Sequence, residues 1–517
     1  MSIPYLIRVT DYFDLHAGTS PDAPFLRHRG AEITYGEARE QVDRCARALL
    51  AAGVQRGDRV AAYGNPRPEY YLTFLAASRI GAIWLGLSPK YTEPELEYNL
   101  QDAAPKVVFS ISEVDEQTRM LGRLAAAIGA RLVTWHTAPS ATGQSVETFL
   151  DSGDDVTGDA VEAAHGEVSA EDPVALVYTS GSTGRPKGAL LAHRGFVSCY
   201  VPQVERWMSA PNLRSLCDLP INHIACLGDV STSTMMAGGC IVFEEKFSPE
   251  AALTAIERER ITFWLAVPAM YQLAMASPRW QTTDFSSLRQ VAWSGGAASA
   301  ALVAGLRTTG APLATSYGMT ETTGSVTFSA DHAPDEVLAE TVGTVHPSFE
   351  VRVQDESGRE CAIGEEGELL VAGPCLMLGY LNRPEATAET LVEGWLHTGD
   401  LVRMRSDGNL VLTGRLGDMF KSGGYNVYCR EVELAIEEHD GVHLAAVVPV
   451  PDELYGQVGH AYVQASPEVT TEDLLTHLRT RLARYKVPKQ ITVVADLPRL
   501  PVGKVDKAAL RRGVVAG

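Results

Sequence analysis

Short apolar runs alternate with helix-length amphipathic segments along the first two thirds of this chain, and that alternation limits the fold more than any other feature. From Thr34 the text reads TYGEAREQVDRCARALLAAG. Thr34 with Glu37 three residues on forms a capping box, Val42, Cys45 and Leu49 make an apolar stripe, and Gly53 ends the helix. Arg59 to Gly64 (RVAAYG) reads as a buried strand, EYYLTFLAASRIGA as a helix, and Ile83 to Leu87 as another strand. The pattern returns at Val174 to Tyr178, Cys240 to Phe243, Thr262 to Ala266, Gln290 to Gly295 and Leu313 to Gly318. Such a chain is expected to fold as a large α/β body of mostly parallel sheets with right-handed crossovers, with functional loops after the strand ends.

The text changes after about Gly343 to short, glycine-punctuated strands (EVRVQDESGRE, GELLVAG, GNLVLTGR), which predict a small β-rich subdomain. From about Asp418 a helix (Arg430 to His439), strands at His443 to Pro449 and His460 to Ala465, a helix near Thr471 to Ala483 and a final strand predict an α+β unit. The boundary is expected between Arg415 and Asp418, giving domains 1–416 and 417–517. Asp151 to Glu171, rich in Gly, Asp, Ala and Glu, reads as a solvated connector.

Composition removes several functions. At 517 residues the chain holds more than one domain, and 44 Lys and Arg against 64 Asp and Glu give a net charge of −20, which disfavours nucleic acid and anionic lipid as partners. Any nucleotide site must be local. The 8 cysteines include no CxxC pair and read as reduced thiols with no zinc spacing. The opening MSIPYLIRVTDYF lacks a basic, apolar leader pattern and every apolar run is interrupted, so the expectation is a cytoplasmic protein without a membrane anchor.

Chemistry concentrates in five segments. Tyr178 to Gly188, YTSGSTGRPKG, follows a strand. Its backbone N–H groups, with Thr179, Ser180, Ser182, Thr183 and Lys187, can cradle a phosphate, although such a loop is as often a plain turn. It is not a Walker A loop, because Pro186 stands where that motif needs glycine. Ser316 to Thr322, SYGMTET, offers Tyr317 to stack on a purine and Glu321 to ligate Mg²⁺; a solvated strand-end acid is the alternative. Gly394 to Leu401, GWLHTGDL, places Asp400 in a sharp turn, suited to two ribose hydroxyls or to nothing beyond a hairpin. Thr413 to Tyr428 carries Arg415 and the pair Gly423 and Gly424, and Arg499 to Arg512 carries Lys504; a linker and a surface lysine are the plain readings.

Taken together and in this order, the five segments resemble the adenylate-forming superfamily of acyl-CoA synthetases, firefly-luciferase-like enzymes and peptide-synthetase adenylation domains, and most of all its acyl-CoA ligases. The resemblance spans nearly the whole chain, including GELLVAGPCLMLGYLNRPEATAE. It implies a large N-terminal domain, a small mobile C-terminal domain, and two half-reactions: a carboxylate attacks the α-phosphate of ATP to give acyl-AMP, then a thiol displaces AMP. It further implies ATP, Mg²⁺ and CoA as reactants and cofactors. Thr179, Ser180, Gly181, Ser182, Thr183, Gly184 and Lys187 would hold phosphates, with Glu321 the magnesium carboxylate. Gly295, Gly296, Ala297 and Ser316, Tyr317, Gly318, Met319, Thr320 would surround the nucleotide. Asp400 and Arg415 would hold the ribose, and Lys504 would bridge carboxylate and α-phosphate. His223, in DLPINH, resembles the histidine beside the acyl pocket, whose walls would come from Ile221 to Gly228, Val267 to Met270, Ser294 to Ala298 and Thr315 to Thr323. Gly423, Gly424, Tyr455, Lys486 and Lys489 would meet CoA.

The chain departs from the family at Gly417, where the hinge is commonly acidic or lysine, and at Cys429, where proline is usual. IACLG (Ile224 to Gly228) lacks the aspartate that pairs an α-ammonium, so a non-amino acid is expected, and the small residues of SGGAASA (Ser294 to Ala300) leave volume for a bulky or branched acyl chain. Three functions stand: a carboxylic acid to CoA ligase; an adenylating enzyme that loads a carrier-protein phosphopantetheine or completes one half-reaction; and a silent adenylate-binding homologue. A homodimer is left open. Following AMP and thioester with ATP, acids and CoA separates the three.

Overall fold

The computed structural model describes residues 3–136, 143–179, 186–296, 298–330, 332–422, 425–452, 455–482, 484–500 and 504–513. The chain divides into two compact units, Met1–Glu350 with Ala372–Leu396, and Val351–Val371 with His397–Gly517.

The first unit is the expected α/β body. One sheet runs Gly379–Tyr380, Lys187–Ala192, Pro173–Thr179, Ile83–Leu87, Arg59–Tyr63, Val107–Ser110, Arg131–Thr134, Gly143–Ser145 in lateral order. From Pro173–Thr179 outward to Gly143–Ser145 its pairs are parallel. The second sheet runs Thr344–Val345, Gly324–Phe328, Leu313–Met319, Gln290–Trp293, Phe263–Ala266, Arg214–Cys217, Cys240–Phe243, Pro24–His28, Ala31–Thr34, again parallel through its centre. Strands buried on both faces need near-continuous apolar text, which is why Ile83–Leu87 and Phe263–Ala266 are buried at every position.

The helix Pro68–Arg79 shows how the two sheets are joined. Tyr70 to Arg79 are buried without a break, as a helix apolar all round requires. The Tyr70 ring lies 5.8 Å from Trp84 of the first sheet and 5.6 Å from Phe243 of the second, so the helix is held between them. Its last residue, Arg79, is fully buried and paired with Asp14 (2.7 Å), Asp43 (3.0 Å) and Glu162 (2.5 Å). The Thr34 capping box forms as expected at the start of Tyr35–Ala51, and Gly53 follows that helix at φ +78°.

One expectation fails here. Asp151 to Glu171 is not a bare solvated connector: it contains the helix Gly158–Gly166, with Val161 and His165 buried. His165 Nε2 meets Thr10 Oγ1 at 2.9 Å, and Glu162 supplies one of the three carboxylates on Arg79. The segment docks through Val161 and Val168 together with His165 and Glu162, and such sparse apolar positions among Gly, Asp and Glu gave no sign of packing.

In the second unit, Asp400 to Met404 of the strand Trp395–Met404 pair antiparallel with Leu410–Arg415. The chain then forms the sheet Tyr425–Tyr428, Met419–Ser422, Gly456–Ala465, Val442–Asp452, with Gln490–Val494 parallel to Gly456–Ala465. Helices Cys429–Glu437 and Thr471–Arg479 cover one face through Val432, Ile436, Leu474 and Leu478. Among the described residues no helix is long and apolar enough to cross a membrane.

Candidate active site

Strand Pro173–Thr179 ends at Thr179 and returns antiparallel as Lys187–Ala192, with Thr179 opposite Lys187. Ser180, Gly181, Ser182, Thr183 and Gly184, between them, lie outside the described residues, as do Ala297, Gly423 and Gly424. In the second sheet Leu313–Met319 runs into a 3₁₀ turn, Thr320–Thr322, before reversing as Gly324–Phe328. Thr322 Oγ1 fixes that turn by donating to Gly324 O at 2.7 Å while receiving the Met319 N–H at 3.1 Å. Glu321 at its crest is buried, 6% exposed.

The Thr179 and Glu321 segments, 142 residues apart, meet. Thr179 Oγ1 donates to Glu321 Oε1 at 3.3 Å, and the Tyr380 hydroxyl donates to the same oxygen at 2.8 Å. Lys187 Nζ lies 4.3 Å from the centroid of the Tyr380 ring, a cation over an aromatic face. Tyr380 was not expected at the site, although it lies in the GYLNRPEATAE segment; no motif logic separated it from the neighbouring residues. It is brought there by a short strand: Tyr380 pairs with Ala189, Leu378 N–H donates to Leu190 O, Leu381 N–H donates to Gly188 O, and Met377 N–H donates to Glu321 O, each of these three bonds at 2.8 Å.

This donor set fits a hard cation bound together with phosphates. Glu321 offers a buried carboxylate whose hydroxyl contacts both fall on Oε1, and Lys187 stands close by. Among the described residues no group of three or more His, Cys, Asp and Glu side chains could cage a metal alone. Mg²⁺ commonly takes one or two protein carboxylates and completes its shell with water and substrate phosphate oxygens, so one carboxylate is compatible with it.

The other expected positions are also placed. Tyr317 and Ser316 are buried in Leu313–Met319, and a Cβ at Gly318 would collide with Gly324 O, so this turn requires glycine. Gly295, at φ +78°, follows strand Gln290–Trp293; Cβ atoms at Gly295 and Gly296 would come to 3.6 Å from Val267 and Pro268. Two of the expected acyl-pocket walls therefore face each other, and a Cβ at either glycine would reach ordinary van der Waals contact with the opposite one. His223 follows a turn at Pro220, and its Nδ1 accepts the Ala225 N–H at 3.2 Å, which leaves the proton of the neutral ring on Nε2. A π-helix, Ala225–Thr232, continues from it.

In the second unit Asp400 and Arg415 are cross-strand partners, with Arg415 Nε 2.7 Å from Asp400 Oδ1. The expectation of a sharp turn at Asp400 is corrected. TGD lies inside the strand Trp395–Met404, kinked by Gly399 at φ +70° and by a register slip between Leu401 and Val402. A positive-φ glycine reads as a turn in sequence, but here the ladder continues through it. Lys504 is exposed beside the Arg499–Val505 bridge, with Leu500 N–H donating to Lys504 O at 2.7 Å. Lys489 Nζ lies 4.8 Å from the centroid of the Tyr455 ring, whereas Lys486 Nζ is already paired with Glu431 Oε1 at 2.5 Å.

Residues 13–381 match the family described as AMP-binding enzyme, and residues 431–504 match the AMP-binding enzyme C-terminal domain. The chain therefore belongs to the AMP-binding, adenylate-forming enzymes, and among these it is most like the acyl-CoA ligases. It is 39% identical over 502 residues to a feruloyl-CoA synthase of an Amycolatopsis species, covering 96% of this chain and 97% of that one. It is 33% identical to an indoleacetate–CoA ligase of Aromatoleum aromaticum, covering 98% of each. The crystal structure of ATP-bound MatB from Rhodopseudomonas palustris superposes with a TM-score of 0.84 at 31% identity, covering 98% of each chain.

Proposed function

We propose that this chain is an ATP-dependent carboxylic acid to CoA ligase acting through an acyl-AMP intermediate, on a bulky or branched acid that is not an α-amino acid. The observation that carries the reading is the meeting of Thr179, Lys187, Glu321 and Tyr380 at one point of an AMP-binding enzyme.

The chemistry follows from charge. A carboxylate is a poor acyl donor and an acyl phosphate anhydride a good one, so the first step must stabilise negative charge on phosphate oxygens. Lys187 and the Thr179 hydroxyl supply positive charge and a donor there. Mg²⁺, held by Glu321 and the phosphates, supplies charge neutralisation when bound. Tyr380 fixes Glu321 through its hydroxyl and offers Lys187 its ring face, so one side chain orients both groups. Asp400 accepts from ribose hydroxyls while Arg415 holds it in place, and Lys504 carries a proton-rich amine to the carboxylate and α-phosphate. The segment 417–517 acts as a mobile domain that presents Lys504 for the first step and withdraws it for the second, when CoA attacks beside Tyr455 and Lys489. The acyl pocket lies among His223, Val267 to Met270 and the Gly295–Gly296 pair, in a cytoplasmic enzyme.

The deciding experiment supplies ATP, Mg²⁺, a panel of acids and either CoA or a phosphopantetheinylated carrier protein. AMP and acyl-CoA together support the reading. Thioester on the carrier alone moves the acceptor to protein, and ATP binding with no pyrophosphate release refutes catalysis.

A further inference from the structure

A circuit of polar side chains stands one residue behind the candidate site. The helix Glu93–Ala103 sinks Leu96, Leu100 and Ala103 into the apolar cluster that also holds Leu176 and Tyr178 of the first sheet. Tyr98 and Asp102, four residues apart, therefore share one face of that helix. Tyr178 donates its hydroxyl to Asp102 Oδ2 at 2.9 Å, and Tyr98 donates its hydroxyl to the Pro186 carbonyl at 2.9 Å. Arg383 closes the circuit: its Nη2 donates to Tyr98 Oη at 2.9 Å and stands 3.0 Å from Asp102 Oδ1. Both carboxylate oxygens of Asp102, a side chain 9% exposed, are thereby engaged.

Every end of the circuit adjoins a group of the site. Tyr178 precedes Thr179, Pro186 precedes Lys187, and the Arg383 N–H donates to Tyr380 O at 3.2 Å. The backbone ladder between Pro173–Thr179 and Lys187–Ala192 stops at the Thr179–Lys187 pair, so Pro186 lies beyond its last rung. The sheet thus fixes the strands, and the side-chain circuit fixes their ends, where Thr179 and Lys187 meet Glu321 and Tyr380. Support at that point bears on rate, because a misplacement of about 1 Å at a reacting centre can cost roughly 100-fold.

We infer that Tyr98, Asp102 and Arg383 are positioning residues of the phosphate site, holding Thr179 and Lys187 in register for the terminal phosphates of ATP. They act through Tyr178 and Pro186. The inference rests on the ligase reading and adds to it three residues outside the five segments that carry the chemistry. Arg383 is the keystone, since one of its nitrogens joins the Asp102 half of the circuit to the Tyr98 half.

The test compares binding of ATP with binding of AMP, which lacks the two terminal phosphates, by calorimetric titration, beside pyrophosphate release with an accepted acid. Arg383→Met should weaken ATP binding roughly 10-fold, the loss expected of one hydrogen bond, and slow pyrophosphate release at least as much. AMP binding, and thioester formation from supplied acyl-AMP and CoA, should stay at the wild-type level. A variant that merely loosened the fold would lower all four together. Arg383→Lys, whose ammonium can meet Tyr98 and Asp102 from one nitrogen, should recover most of the loss. Circular dichroism confirms folding, and if Arg383→Met fails this check, Tyr98→Phe, which lacks a single oxygen, decides on the same terms. Wild-type ATP binding in the variant, equal losses for ATP and AMP, or no recovery in Arg383→Lys overturns the inference alone. No pyrophosphate from the wild type with any acid overturns the ligase reading and the inference with it.

Discussion

Tyr380→Phe removes one oxygen atom and tests the site more sharply than any charge deletion. The ring stays, and with it the face presented to Lys187 at 4.3 Å. What is lost is the 2.8 Å donation to Glu321 Oε1, made between side chains 7% and 6% exposed. A hydrogen bond to a charged acceptor contributes about 1.5–3 kcal/mol. The remaining Thr179 hydroxyl, at 3.3 Å, is too long to take over. If the whole contribution is expressed in the first half-reaction, pyrophosphate release should fall roughly 10- to 150-fold, at 1.4 kcal/mol per tenfold. Because the hydroxyl acts through the carboxylate, the loss should be larger at low Mg²⁺ and partly recovered at high Mg²⁺. Conversion of supplied acyl-AMP and CoA to thioester should be unchanged. Rapid-quench measurement of pyrophosphate across a Mg²⁺ titration, with Mn²⁺ binding followed separately by electron paramagnetic resonance, reads both effects. Wild-type rates at limiting Mg²⁺, or equal loss in both half-reactions, would refute the positioning role.

Other expectations follow from the same geometry. Glu321→Gln should weaken Mg·ATP binding and slow adenylation at least as much as Tyr380→Phe; full activity at low Mg²⁺ removes Glu321 from the site. Lys504→Ala should lower acyl-AMP formation by orders of magnitude and leave thioester formation from supplied acyl-AMP near wild type, while parallel loss of both contradicts domain alternation. Asp218 is buried, neither of its carboxylate oxygens has a partner among the described residues, and burial pushes it up to about 7 from 3.8. Across that interval the folded chain keeps a proton that the unfolded chain has released, so stability should fall as pH rises from about 4 to about 7 and then level off. Asp218→Asn should flatten this slope and gain stability at pH 8 relative to pH 5 in urea titrations; identical slopes would exclude Asp218 as the source.

The parts of this structure legible in sequence are those with local causes. Thr34 and Glu37 cap a helix because the bond spans three residues, and FWLA (Phe263–Ala266) forms a buried strand because its apolar run is continuous. Thr179, Lys187 and Glu321 stood out because each follows a strand within a distinctive run of small and polar residues. Tyr380 did not, since its role depends on contacts with Ala189 and Glu321 across 191 and 59 residues of chain. Glu162 was invisible for a similar reason: its partner, Arg79, lies 83 residues away, inside a helix that reads as apolar. The Gly399 kink was misread because glycine signals positive φ without saying whether the ladder continues.

The first unit is assembled from two stretches of chain, and the later one, Ala372–Leu396, brings back Tyr380. This has a bearing on how such enzymes can be recombined. A crossover between relatives anywhere from Lys187 to Tyr380 would mate Lys187, or both Lys187 and Glu321, with a foreign tyrosine, and their contacts at 4.3 Å and 2.8 Å leave little room for mismatch. Shuffled offspring should therefore survive best when this whole interval is inherited from one parent. Within it, changes near Lys187 are expected to find their compensations almost two hundred residues downstream, not among sequence neighbours.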